Sequence, residues 1–195
     1  MTETARKRAQ AFGFESATFH QADISTIAGV GHCDAIVGPL VLFLPDPAAV
    51  IRRLCGLLRP GGILALQEPS WKVWLDHTSH LPLRLAVTTL VRDVFLAGGA
   101  NTEMELPLYR GFVAANLTPP QLCLKLPIGD SPELRGLLYD LFLAVKTRAE
   151  AAGLPLDSTG DPATLDSRLE EELNANRAFA SFVALVGAFA RKRAD

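Results

Sequence analysis

Side chains able to do chemistry are sparse in this sequence, and the most promising ones stand at the ends of strand-like runs. Asp23 closes the run from Ala17 to Ala22, and Glu68 closes the run that starts at Ile63. An ionised carboxylate only accepts hydrogen bonds, so in such a place it suits an amine-bearing ligand. It can also act as a general base where an acceptor must lose a proton. Plainer readings stand beside these: Asp23 as the cap of a turn, and Glu68 as a polar strand-end residue that faces water or caps the next helix. His77 and His80 could face one way on a helix, but with only Asp76 nearby they fall short of a metal site, and none is expected. Gly29 and Gly31 form a Gly-x-Gly with no helix after it and read as loop. Cys33, Cys55 and Cys123 have no metal or redox spacing and read as buried thiols. Gly-x-Ser-x-Gly elbows and phosphate-binding loops are absent from the sequence.

The elements that must position these residues follow from pattern. With 195 residues, 49% of them hydrophobic, the chain is long enough for one compact domain with a sizeable core. A net charge of −2 creates no field that would draw nucleic acid or an acidic membrane. The clusters Arg6, Lys7, Arg8 and Arg191, Lys192, Arg193 lack interleaved aromatics and read as solvated ends. Apolar runs such as Ala35 to Leu44 are shorter than the roughly 18 residues a membrane span needs, and no signal-peptide core follows the first charges. A soluble cytoplasmic protein is therefore expected. Thr2 to Ala11 reads as a helix stopped by Gly13, Ala17 to Ala22 as a strand, and a buried strand begins near Asp34. A helix follows, capped by Asp46, with Pro47 in its first turn and Val50, Ile51, Leu54, Leu57 and Leu58 on one face. It stops at Arg59-Pro60-Gly61-Gly62, and Ile63 to Glu68 is a second buried strand. Such alternation predicts a parallel sheet covered on both faces, with ligands beyond the carboxyl ends of its strands, at Asp23, at Gly38 with Pro39, and at Glu68 with Pro69.

The segments "ARKRAQAFGFESATFHQADI" and "CDAIVGPLVLFLPDPAAVIRRLCGLLRPGGILALQE" resemble the second half of a class I S-adenosylmethionine-dependent methyltransferase. There a helix and strand three end in Ala-Asp, strand four opens on an aspartate dipeptide, and Leu-Arg-Pro-Gly-Gly leads into strand five. "MELPLYRGFVAANLTPPQLCLKLPIG" is similar to the family's next helix, cap and strand six, with Asn116 where glycine is usual. "TLDSRLEEELNANRAFASFVALVGAFARK" is similar to its last helix and strand seven. The resemblance implies an α/β, Rossmann-like sheet of seven strands in the spatial order three, two, one, four, five, seven, six, with strand seven antiparallel. It implies S-adenosylmethionine as cofactor and a small molecule as methyl acceptor. Asp23 would accept from the adenine amine, the Ile24 backbone would read the ring edge, and Gly38, Pro39 and Leu40 would line the sulfonium end. Glu68 would be a base or would orient the acceptor. The insertion between Ser70 and Asn101 would form a helical lid at about residues 70–101, with Trp71, Trp74 and His77 as substrate contacts or as lid-to-body packing.

The same resemblance implies that the first strand-helix-strand unit, with the family's glycine-rich turn, precedes Thr2 and is missing, so residues 1–195 would be a single partial domain. Strands three and four would then flank two vacant positions, roughly 14 Å apart at a strand spacing of ~4.8 Å. The link from Ile24 to Cys33 can span this at ~3.3 Å per residue. Strand four would show an unpaired edge that invites a second copy or a completing chain. An isolated chain that is unstable, oligomeric or rearranged is expected, with methyl transfer incomplete or inactive. The alternative is a non-catalytic methyltransferase-like remnant or interaction module.

Overall fold

In a computed structural model, residues 2–39, 41, 43–115 and 117–194 are described. Leu40 and Asn116, assigned above a cofactor contact and a helix cap, lie outside them. The chain divides into two compact units, residues 1–31 and residues 32–195.

In the first unit α1 (Thr2–Ala11) ends as its sequence predicts. Gly13 adopts a left-handed φ of 74°, and its N–H and that of Phe14 close on the carbonyls of Gln10 and Ala9. These two bonds satisfy helix-end acceptors, and the positive φ costs glycine little. The strand expected over Ala17 to Ala22 does not form. Among the described residues no ladder pairs with this segment, and an extended backbone without a partner is not a strand.

The second unit is built on a four-stranded sheet in the order β1-β2-β6-β3. β1 (Cys33–Gly38) runs to α2 (Pro47–Gly56), and α2 returns to β2 (Leu58–Ser70), which pairs parallel with β1. Asp46 caps α2 by accepting from the Ala49 N–H at 2.9 Å, and Val50, Ile51, Leu54 and Cys55 are buried. The helix stops at Gly56, before the expected turn, because Leu58 is already paired with Cys33. In the turn itself Gly61 has a φ of 77°, and a Cβ on Gly62 would lie 2.9 Å from the Arg59 carbonyl oxygen and 3.1 Å from that of Asp34. Both glycines are therefore required, the second by close approach of the neighbouring strand.

Beyond β2 come α3 (Trp71–Thr78), α4 (Pro82–Ala97), α5 (Glu105–Ala114), β3 (Gln121–Lys125), β4 (Ile128–Gly129) and α6 (Pro132–Ala151). A 3-10 turn, α7 (Pro162–Asn176), β5 (Ala180–Ser181) and β6 (Ala184–Arg191) complete the chain. β6 is antiparallel to both β2 and β3. This is the order four, five, seven, six, with an antiparallel strand seven, that the resemblance implies. The helical insertion expected between Ser70 and Asn101 forms as two helices, α3 and α4, which pack with α6 and α7 into one apolar cluster. α4 lacks a side-chain cap of its own. Glu172 of α7 supplies it, accepting from the Leu83 and Arg84 N–H groups at 2.6 and 2.9 Å.

Two expectations about the sheet are corrected. β1 was expected to be a buried strand, but Val37 is 74% exposed; its edge position, paired among the described residues with β2 alone, is the one expected for strand four. Nor is the sheet covered on both faces. Register puts Val37, Ala65 and Phe189 on one face, which is open or half-buried, and Leu64, Leu66 and Ala188 on the other, which is buried. Of the thiols only Cys55 is buried, since Cys33 and Cys123 sit on edge strands. Among the described residues no helix is long and apolar enough to cross a membrane.

Gly62→Ala should destabilise the chain by about 1–3 kcal/mol, since backbone rather than a flexible side chain opposes the new methyl. At roughly 2–4 °C per kcal/mol for a chain of this size, a calorimetric Tm checks it. Asp46→Ala should cost ~1 kcal/mol through the lost cap.

Candidate functional site

In the second unit the parallel pair β1–β2 ends at Gly38 and Pro39 on one strand and at Glu68, Pro69 and Ser70 on the other. Glu68 is paired with Val186 of β6 and takes the register of the buried face, one step beyond Leu64 and Leu66. It is 1% exposed, so it does not face water. Its Oε1 accepts from the Val41 N–H at 2.7 Å. The carboxylate thus grips the backbone just past the end of β1, and α3 starts without a side-chain cap. Two residues on, Ser70 is also buried, and its hydroxyl donates to Glu105 Oε1 of α5. The Trp71 N–H donates to the Thr102 carbonyl at 3.1 Å.

α3 and α4 hold the aromatic residues expected to meet substrate. Trp71 and Trp74 are buried with ring centroids 5.6 Å apart, and Trp71 lies 5.0 Å from Phe95 of α4. The Trp74 indole donates to the Ser181 carbonyl at 3.1 Å. His77 Nδ1 and Ser181 Oγ are 3.1 Å apart, with the donor set by the tautomer. These contacts tie α3 to β5 and spend the surface of Trp74 on packing. Trp71 keeps a stake in an open hollow of about 410 Å³, lined also by Leu75, Leu85, Arg92 and Thr102, and its indole nitrogen has no hydrogen-bond partner. His77 is half-buried. His77 and His80 are 6.4 Å apart, and among the described residues no group of three His, Cys, Asp or Glu is arranged to hold a metal.

One contact was not legible in the sequence. Phe43, past the end of β1, stacks on Phe95 with centroids 5.7 Å apart and an interplanar angle of 27°. The exit from β1 is therefore held at Val41 by β2 and at Phe43 by α4. A backbone N–H has no sequence signature, so only the unusual placing of a carboxylate after an apolar strand could have signalled the first anchor.

In the first unit Asp23 caps a turn. Its Oδ1 accepts from the Ser25 N–H at 2.8 Å and from the Ser25 hydroxyl at 2.7 Å, while the Thr26 N–H donates to the Asp23 carbonyl at 3.1 Å. The Ser25 hydroxyl, and after it the Ser25 N–H, hold the Asp23 carboxyl below the usual carboxylate range. The side chain is exposed and ionised at neutral pH, and each carboxylate oxygen can accept more than one bond. Ile24 is half-buried.

A family model described as a methyltransferase domain matches residues 1–97. No curated protein matches the sequence. Among solved structures, the chain is similar to the YcgJ protein of Bacillus subtilis, at 16% identity and a TM-score of 0.55, over 99% of this chain and 78% of that one. It is similar to the cyclase SpnF, at 15% identity and a TM-score of 0.51, over 100% and 63% of the two chains. A protein of Galdieria sulphuraria assigned as a sarcosine dimethylglycine methyltransferase gives 14% identity and a TM-score of 0.50, over 100% and 66%. The chain thus spans less than two thirds of the latter two. At such identities the likeness is one of fold, and one of these proteins being named a cyclase shows that the fold hosts more than one chemistry.

The Asp23 carboxyl should titrate below the ordinary carboxylate range in a carbon-detected NMR titration, and Ser25→Ala should move its midpoint up. Because the folded value is the lower one, the stabilisation from this turn is complete above the ordinary range and fades as pH falls through the lowered midpoint.

Proposed function

We propose that this chain, whose residues 1–97 match a methyltransferase-domain family model, belongs to the class I S-adenosylmethionine-dependent methyltransferases and takes part in methyl transfer from S-adenosylmethionine to a small-molecule acceptor. The observation that carries the reading is the mouth formed by parallel strands β1 and β2, in a sheet of order β1-β2-β6-β3 with β6 antiparallel. Ligands of open α/β sheets bind outside such carboxyl ends.

Each unit, taken by itself, carries groups with chemistry suited to this cofactor. Asp23 is an exposed, ionised acceptor, its carboxyl lowered further by the Ser25 hydroxyl and N–H, and a carboxylate suits an exocyclic amine. By the resemblance, the backbone of Ile24, next in the chain, would read the ring edge. At the end of β1, Gly38 has no side chain to hold a ligand off, and Pro39 cannot donate from its nitrogen and fixes the backbone. When bound, the cofactor supplies an electrophilic methyl group on a sulfonium. Displacement at that carbon is in line, so what the protein must contribute is alignment of the two reactants. With its carboxylate turned onto Val41, Glu68 serves alignment better than proton abstraction. For the acceptor, His77 and the hollow beside Trp71 offer the partly open surface, and α3 with α4 would be the lid.

Thermal melting with S-adenosylhomocysteine tests this. Ligand at about one hundred times its Kd stabilises by ~2.7 kcal/mol, a rise of roughly 5–10 °C for a chain of this size. Asp23→Ala should remove most of the rise. An unchanged Tm at millimolar ligand would mean that the chain is a scaffold unable to hold the cofactor.

A further inference from the structure

We propose that Glu68 is a positioning residue, whose buried carboxylate fixes the backbone at Val41 and so shapes the wall of the cofactor mouth just past Gly38 and Pro39. This rests on the methyl-transfer reading given above.

The register states the case. Along β2, Leu64, Leu66, Glu68 and Ser70 share the buried face, and Val186 of β6 stands opposite Glu68. An apolar side chain would satisfy that position by packing alone. A carboxylate there loses its hydration, which costs several kcal/mol unless donors replace the water. The Val41 N–H is one such donor, at 2.7 Å. The benefit is mutual, since Val41 is itself buried past the end of the ladder and its N–H needs an acceptor. Two residues further on, the Phe43 ring rests on Phe95 of α4. One anchor is polar and comes from the neighbouring strand, and the other is apolar and comes from the helix beyond it. A strand exit held at both points is preorganised, so a ligand lying against it need not order it on binding.

Reach and charge can be separated by substitution. Glu68→Gln keeps a carbonyl oxygen at the same reach, Glu68→Asp keeps the charge but withdraws it by one methylene, and Glu68→Leu removes the acceptor. Two readouts are needed on the full chain: amide hydrogen exchange at Val41 without ligand, and calorimetric affinity for S-adenosylhomocysteine. Glu68→Gln should stay within about threefold of wild type in both. Glu68→Asp should speed exchange at Val41 and weaken binding by about tenfold or more, with protection in α6 unchanged. Glu68→Leu should match it, and should that variant fail to fold, the contrast between Gln and Asp carries the test. Phe43→Ala, at a ring already 52% exposed, should weaken binding several-fold while leaving Tm close to wild type.

The proposal is overturned if Glu68→Asp outperforms Glu68→Gln, which would make charge rather than reach the requirement. It is overturned equally if protection falls uniformly across the chain, or if Val41 loses protection while affinity holds. Absence of binding by the wild-type chain overturns the methyl-transfer reading. That failure stays distinguishable, because exchange at Val41 reports on Glu68 without any ligand.

Discussion

The molecule depends on β2, the strand that must satisfy a parallel ladder on one edge and an antiparallel ladder on the other. Its backbone donors and acceptors are consumed by β1 and β6, and its inward side chains supply the buried face of the sheet. The parallel ladder requires a helical crossover, which α2 provides, and a tight return, which Gly61 and Gly62 allow. The antiparallel ladder brings in the end of the chain, and through it β3. β2 ends among polar side chains that reach outward, Glu68 to the exit of β1 and Ser70 to α5. The strand that organises the fold therefore also organises the mouth.

Much of this was legible in the sequence where one local rule decided the outcome. The end of α1 at Gly13, the cap of α2 at Asp46 and the Pro-Gly-Gly return each follow from side-chain chemistry within a few residues. The segment from Ala17 to Ala22 was not legible, because a strand exists only with a partner and the pattern of one segment cannot show whether its partner is there. β1 was misjudged for a related reason. An apolar run predicts burial only if something covers it, and Val37 lies on an open face at a sheet edge. Cys123 was misjudged likewise, as a member of an apolar strand that turned out to be the opposite edge.

The candidate site divides in the same way. Asp23 and Glu68 were visible as carboxylates closing strand-like runs, and the type of contact each makes follows from the acceptor-only chemistry of a carboxylate. Their partners were hidden, since the Ser25 turn is local but common, and the Val41 N–H lies 27 positions away on a backbone that any sequence carries. Trp71 and Trp74 show how an aromatic pair near a mouth can serve mainly to join α3 to the elements behind it. What is left for a ligand is the strand exit, held from two sides, and the hollow along α3 and α4.

The most direct measurement is an amide NMR titration of the labelled chain with S-adenosylhomocysteine. The account predicts saturable shifts centred on Gly38, Val41 and Glu68, at the end of the parallel pair. Saturable shifts confined to α6 and α7, or no shifts at all, would contradict it.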